Sequence, residues 1–256
     1  MPLYISATPI GNLKDITVRT LESLQNADLI LCEDTRVTQT LLKHYNIQKP
    51  LKVYNDFKTP HRSIIEKLTQ NKNVVLVSDA GTPLISDPGY KLIQLCYEHH
   101  IKVIVEPGPS AILNALILSG LPPYPFYFGG FFDIKKSDLS AHATLIFFEA
   151  PHRLLKTLKA LRGIPRTIVV TRELTKVYEE IRTGNADTLI EHFTQHPPKG
   201  EIALLLSPIE EKVLELSDAV IQKALEQYSL NEASKRLSHL YGVPKKDIYK
   251  RAILLK

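Results

Sequence analysis

The chain has 256 residues, 44% of them hydrophobic and 23% charged, a globular balance that excludes disordered, collagen-like and coiled-coil classes. No run of about 18 apolar residues occurs, so a membrane-spanning helix is excluded. Its net charge of +5 is uninformative as a total but uneven in its distribution.

Met1 leads almost at once into a strand-like run, Leu3 to Ala7, with no basic stretch or long apolar segment before it. No secretory signal is expected, and the cytoplasm is the expected location. Cys32 and Cys96 each sit inside an apolar run and read as two buried thiols rather than a disulfide. The first half alternates short β-branched runs with amphipathic stretches. Strands are expected at Leu3–Ala7, Leu29–Cys32, Leu51–Tyr54, Val74–Val77 and Val103–Val105. Helices are expected at Thr17–Asn26, Val37–Tyr45, Arg62–Gln70, Gly89–His99 and Ser110–Ser119. Such alternation predicts βαβ units and a mostly parallel sheet covered on both faces.

Three prolines within Gly120-Leu-Pro-Pro-Tyr-Pro125 stop any helix or central strand, which places a domain boundary there. Beyond it, strands are expected at Tyr127–Gly130, Thr144–Glu149, Thr167–Thr171, Glu179–Gly184 and Ile202–Leu206, with helices at Arg153–Leu161 and Asp187–Gln195. Consecutive strands around Val169 and Ile181 predict antiparallel pairing, hence a second α/β domain with a mixed sheet. After Ser207-Pro208 the strand signal stops. Helices follow at Asp218–Tyr228, Glu232–Tyr241 and Asp247–Leu254, with Ser217 as an N-cap and Gly242 as a C-cap residue. The expected organisation is therefore 1–120, 121–208 and a helical segment, 209–256. From Leu216 on, eight basic residues stand against four acidic ones, so most of the charge surplus lies in this segment. Short helices, tight turns and positive charge suit a helix-turn-helix-like unit that docks on a polyanion; a solvated helical face has the same composition.

The glycines form neither a G-x-G-x-x-G nor a phosphate-binding G-x-x-x-x-G-K-[ST] motif, and H-E-x-x-H, C-x-x-C and G-x-S-x-G are all missing. His99 and His100, adjacent on a predicted helix, point apart and make a poor metal site, so none is expected. What remains is three small-residue loops at strand ends: Ala7 to Thr17, Ser78 to Tyr90 and Glu106 to Ala111. In an open parallel sheet ligands sit beyond the carboxyl ends of the strands, so the three loops would line one pocket. Ordinary strand-to-helix turns use the same residues.

Six segments in order carry a resemblance: Ala7-Thr-Pro-Ile-Gly-Asn-Leu13, Glu33-Asp-Thr-Arg36, Ser78 to Tyr90, Pro107-Gly-Pro-Ser-Ala111, Phe148-Glu-Ala-Pro-His-Arg153 and Arg172-Glu-Leu-Thr-Lys176. Over residues 3 to 206 the chain resembles the ribosomal RNA small subunit methyltransferase I family of the tetrapyrrole-methylase-like superfamily. The resemblance implies two α/β domains with a cofactor cleft between them, S-adenosylmethionine as the cofactor, and a homodimer. It also implies methylation of the ribose 2′-oxygen of a cytidine in small-subunit ribosomal RNA, free or in an assembling subunit. Carried over by motif, the cofactor contacts are Pro9, Asp79, Ala80, Gly81, Thr82, Ile85, Ser110, Ala111, Phe148 and Leu174. The stretch Phe132 to Ala143 is shorter than usual and holds only two lysines, which weakens any expectation of RNA contacts from it.

For the chemistry, Glu149 is the candidate proton acceptor, with His152 as an alternative. A carboxylate at a helix N-terminus or an ion pair with Arg153 is the competing role for Glu149. Arg36, Arg153, Arg172 and Lys176 are candidate phosphate contacts, as are Lys245, Lys246, Lys250 and Arg251 in the tail. Arg36 and Arg172 stand close to glutamates, so internal ion pairs compete there. A tetrapyrrole methylase would more typically carry Gly-Asp-Pro where this chain has Gly81-Thr-Pro83. A non-catalytic RNA-binding assembly factor is a further alternative, against which the three intact loops argue.

Overall fold

Five strands, β1 (Leu3–Ser6), β2 (Leu29–Cys32), β3 (Leu51–Val53), β4 (Val74–Leu76) and β5 (Val103–Glu106), form an all-parallel sheet in the order β3-β2-β4-β1-β5. The computed structural model describes residues 1–209 and 216–255. All of β2 and β4 is buried, as expected of strands covered on both faces. The period of two sorts the apolar side chains. Leu29, Leu31, Val74 and Leu76 pack with α3 (Arg62–Thr69) and α4 (Tyr90–Glu98). Ile30, Cys32, Val75 and Val77 pack on the other face with α1 (Val18–Asn26) and α2 (Thr35–His44). Cys32 and Cys96 thus fall in different clusters and are buried free thiols; burial pushes the Cys96 thiol up to about 11. Helix α2 begins two residues earlier than expected, because the Asp34 side chain caps it by accepting the Arg36 N–H at 2.8 Å. Helix α4 ends at Glu98, so the reading of His99 and His100 as helical is corrected: His99 is the cap and His100 has φ +54°.

The second sheet, order β6-β7-β10-β8-β9, comprises β6 (Phe126–Phe131), β7 (Thr144–Glu149), β8 (Ile168–Arg172), β9 (Glu180–Gly184) and β10 (Ile202–Leu206). β6 and β7 run parallel, whereas the other neighbours are antiparallel, with Thr171 opposite Ile181. On one face, α6 (Pro151–Ala160) and α7 (Ala186–Gln195) bury Leu154, Leu158, Leu189 and Phe193 against Leu145, Phe147, Val170 and Leu204. The opposite face receives α5 (Ala111–Ser119), whose Ala115 and Leu116 meet Ile146, Val169 and Leu205. That helix follows the last strand of the first sheet yet packs on the second. Its position unites the two sheets in one compact unit, Met1–Ile209.

Arg166 is 5% exposed and has no acidic partner within ion-pair distance among the described residues; its guanidinium donates to the carbonyls of Leu139 (3.0 and 2.8 Å), Ala143 (3.1 Å), Ala141 and Ser207. A buried charge is tolerated when its donors are satisfied. Here it pins the short 132–143 connector to the end of β10.

The second unit, Glu210–Lys256, contains α8 (Asp218–Gln227), α9 (Leu230–Tyr241) and α10 (Lys245–Leu254) around Ile221, Ala233, Leu237, Ile248 and Ala252. Ser217 accepts the Val220 N–H, and Gly242 takes the left-handed conformation at φ +65°. Lys256, part of the charge surplus, lies outside the described residues.

Candidate active site

The three loops are tied to one another. Thr8 and Gly81 exchange backbone hydrogen bonds at 2.8 and 3.0 Å, and the Thr82 hydroxyl donates to the Pro109 carbonyl at 3.3 Å. Gly81 sits at φ +80°, and a Cβ there would lie 3.2 Å from Ile10 Cγ2. Beneath them the buried Glu106 accepts the Ser6 and Ser23 hydroxyls, both at 2.6 Å, which locks the ends of β1 and β5 to α1.

A cavity of about 430 Å³ opens between these loops and the second sheet, within the usual range for small-molecule sites. Of the ten expected cofactor contacts, Asp79, Ala80, Gly81, Thr82, Ile85, Ser110, Ala111, Phe148 and Leu174 line it. Pro9 does not; Ile10 stands there instead. Side chains alternate along an extended chain, and Ile10 shares its side with Thr8, which pairs with Gly81. Sequence reasoning also missed Asp87, Ile112, Phe131, Gly200 and Glu201 among the lining residues. Asp87 was within reach, since it lies in the second loop; Gly200-Glu201 carries no motif, and only the pairing of β10 brings it here.

Backbone strain collects around this cavity. Leu84 and Ser86 flank Ile85 at φ +74° and +72°, and Glu173 and Thr175 flank Leu174 at +54° and +65°. Such conformations persist where surrounding structure over-determines them, and they concentrate at ligand-holding segments. Opposite the loops, Phe148 stacks edge-on against Phe128 (4.9 Å) and Phe131 (5.9 Å).

Among the described residues the lining holds four carboxylates, Asp79, Asp87, Glu149 and Glu201, and no Lys, Arg or His side chain. Burial raises Asp79 and Asp87 above the ordinary carboxylate range, and neighbouring negative charge adds to it. Asp87 reaches about 6, with Glu33 and Asp79 as its charged neighbours. A cavity of this kind attracts a cation and repels phosphates.

Glu149 has a different role from the one expected. Its side chain is fully buried; it accepts the Thr157 hydroxyl and the Ala150 N–H (2.8 Å), and Arg153 Nε lies 3.3 Å away. With its lone pairs committed, it anchors the start of α6 and is a poor proton acceptor, so the ion pair with Arg153 is the reading the geometry favours. Replacing Glu149 with alanine leaves Thr157 buried without its partner, and urea denaturation should show a loss of about 1–3 kcal/mol.

The basic candidates divide. Arg172 is 19% exposed and bound to Glu180 at 2.9 Å; it also donates to the Lys199 carbonyl. Lys176 bridges Glu173 (2.7 Å) and Glu201 (3.0 Å). Internal carboxylates hold both, so the competing role of internal ion pairing is the one their geometry displays. The partner of Arg172 is Glu180 across the β8–β9 pair, not its neighbour Glu173. Arg153 is held by Glu149 and by the Phe132 carbonyl at 2.6 Å. Arg36 pairs with Asp34 through Nε at 3.1 Å, yet its side chain is 89% exposed and able to turn outward. In the tail, Lys245, Lys246 and Lys250 are exposed, whereas Arg251 bonds Asp218 at 2.6 Å. Among the described residues no cluster of metal-ligating side chains occurs, and no helix is long and apolar enough to cross a membrane.

Residues 2–190 match the family described as Tetrapyrrole (Corrin/Porphyrin) Methylases. The chain is similar to ribosomal RNA small subunit methyltransferase I of Mesorhizobium japonicum, 40% identical over 99% of this chain and 92% of that protein. Its counterpart in Thermotoga maritima is 43% identical over 80% and 97%. Among solved structures, diphthine synthase superposes with a TM-score of 0.64 at 17% identity, covering 81% of this chain and 90% of that one. A uroporphyrin-III C-methyltransferase from Thermus thermophilus, complexed with S-adenosylhomocysteine, gives 0.58 at 17% identity over 82% and 98%; both likenesses speak to the fold. Through its six motifs, its two sheets and these similarities, the chain belongs to the tetrapyrrole methylase family and, within it, to the ribosomal RNA small subunit methyltransferase I proteins.

Proposed function

We propose that this protein transfers a methyl group from S-adenosylmethionine to the ribose 2′-oxygen of a cytidine in small-subunit ribosomal RNA. The observation that carries the reading is the cavity at the strand ends, lined among the described residues by four carboxylates and no basic side chain. The cofactor's sulfonium and ammonium groups are cations that such a lining favours, and its thioether product has lost one of those charges. Apolar residues on both sides, Ile10, Ile112, Phe148 and Leu174, suit its adenine and aliphatic portions. When bound, the cofactor supplies an intrinsically activated methyl group. The chain's own contribution is to hold the donor under tied loops and to bring the 2′-oxygen into line, which can supply several kcal/mol by positioning alone.

In this reading residues 1–120 and 121–208 act as two domains around one cleft, and 209–256 holds RNA. Lys245, Lys246, Lys250 and Arg36 are the phosphate contacts we assign. The substrate is the RNA, free or in an assembling small subunit, and the cytoplasm is the compartment. A second copy of the chain is the expected partner, and the outer side of α5, where Leu113, Ile117 and Leu118 are exposed, suits it.

The test is to incubate the purified chain with isotopically labelled S-adenosylmethionine and small-subunit RNA, then to digest the RNA for mass spectrometry. Label on the ribose of one cytidine is the expected result. Label on a base, or none on RNA with the cofactor bound, would refute the reading.

A further inference from the structure

Three of the four carboxylates that line the cavity are already engaged. Asp79 Oδ1 accepts the Asp34 N–H at 3.0 Å. Glu149 is held by Thr157, Ala150 and Arg153. Glu201 Oε2 lies 3.0 Å from the Lys176 ammonium. Asp87 differs: among the described residues no cation and no backbone N–H lies within hydrogen-bond reach of its carboxylate, and the Ser78 hydroxyl is the one polar neighbour that favours its charge. It stands between Ser86, at φ +72°, and Pro88, so the backbone of the loop sets its position. Each ion pair or hydrogen bond on a carboxylate lowers its basicity, and Asp87 has kept its own.

We propose that Asp87 is the proton acceptor for the attacking ribose hydroxyl, an assignment that rests on the methyl-transfer reading above. The 2′-oxygen forms its bond to the methyl carbon as the carbon–sulfur bond breaks, and the electron pair leaves on sulfur, which becomes a neutral thioether. The hydroxyl proton passes to the Asp87 carboxylate and from there to solvent. The groups that face Asp87 are Glu33 beyond β2, Asp79 beyond β4, and Glu149 and Glu201 on the second-sheet side of the cavity. Burial first, then the negative charge of Glu33 and Asp79, hold the Asp87 carboxyl up to about 6 against the opposing Ser78 hydroxyl, so it is still ionised at pH 7 but more basic than an ordinary aspartate. A bound sulfonium cation pulls in the other direction, so the loaded enzyme titrates at or below that value.

The experiment compares the wild type with Asp87→Asn and Asp87→Glu. Methyl transfer to RNA is measured from about pH 5 to pH 8 at saturating donor, with calorimetric S-adenosylmethionine affinity and melting temperature as readouts that need no turnover. The wild-type rate should fall about tenfold per pH unit below its acid limb. Asp87→Asn should be slower by about 10²–10⁴-fold and lose that limb, while Asp87→Glu keeps it. Cofactor affinity in Asp87→Asn should fall by about tenfold at most, far less than the rate, because three of the four carboxylates in the lining remain. Its melting temperature at pH 7 should rise, because a carboxyl harder to ionise when folded costs the native state stability once it is charged. An Asp87→Asn rate close to wild type, an acid limb that survives the substitution, or loss of cofactor binding would each overturn the assignment. A wild type that binds cofactor but transfers nothing to RNA refutes the parent reading and this one together. An active wild type with an equally active Asp87→Asn refutes this one alone.

Discussion

Replacing Thr82 with arginine abolishes S-adenosylmethionine binding, weakening it by at least about 100-fold in calorimetry, while unfolding stays cooperative. Thr82 is half-buried in the second loop, lines the cavity, and donates its hydroxyl to the Pro109 carbonyl at 3.3 Å. A guanidinium introduced there fills part of a space of only about 430 Å³. It also carries its own positive charge to Asp79 and Asp87, the carboxylates that would otherwise attract the cofactor's cations. Volume and charge therefore act in the same direction. Thr82→Ser, which keeps the hydroxyl, should bind normally. Gly81→Val is a weaker probe of the same loop, because φ +80° and the nearby Ile10 add backbone strain of about 1–3 kcal/mol to any effect on the ligand. Unchanged affinity in Thr82→Arg would take the second loop out of the site.

Strand positions were legible wherever period and burial agreed. β2, β7 and β10 begin and end where the apolar runs do, because each run is buried and bounded by turn residues. Helix starts were less legible. Asp34 caps α2 and Ser229 caps α9 by accepting the Glu232 N–H, so those helices begin before the first apolar repeat that a periodicity count detects. The packing of α5 on the second sheet had no sequence signal. A helix that is apolar nearly all round could have served either sheet, and only the chain path decides it.

The site was legible where it consists of contiguous loop residues and illegible where it depends on pairing across the fold. Asp79 to Ile85 could be read as one loop beyond a strand end, and nine of the ten motif positions line one cavity. The charges around it could not be read in the same way. Glu180 is 19% exposed and takes Arg172, Arg182 and His192, partners that come from three elements and overcome the cost of burial to hold its carboxyl near 2. From the sequence Arg172 could contact a phosphate or pair with a nearby glutamate; in the fold it closes an internal network through Glu180. Proximity along the chain predicted the Arg36 pair with Asp34 but not that of Arg172, which passes over the adjacent Glu173 for a residue eight positions away.

The same distinction sharpens the expectation for the helical tail. Lys245, Lys246 and Lys250 on α10 are exposed and have no carboxylate within ion-pair distance among the described residues, so their charge is available to RNA phosphates. Arg251 bonds Asp218 and joins α10 to α8; replacing it would loosen the packing around Ile221 and Ile248 and confound any binding measurement. The informative variant therefore changes the three lysines to glutamine and leaves Arg251 in place. RNA binding should weaken, and the slope of log affinity against log salt should flatten by about 0.7–0.9 for each phosphate that is no longer neutralised, because fewer counterions are released on binding. S-adenosylmethionine affinity should not move, since every residue that lines the cavity lies within Met1–Ile209. A salt slope identical in variant and wild type would make the tail's charge a solvated face. The phosphate contacts would then fall to Arg36, whose exposed guanidinium can leave Asp34 at the small energetic cost of a surface ion pair.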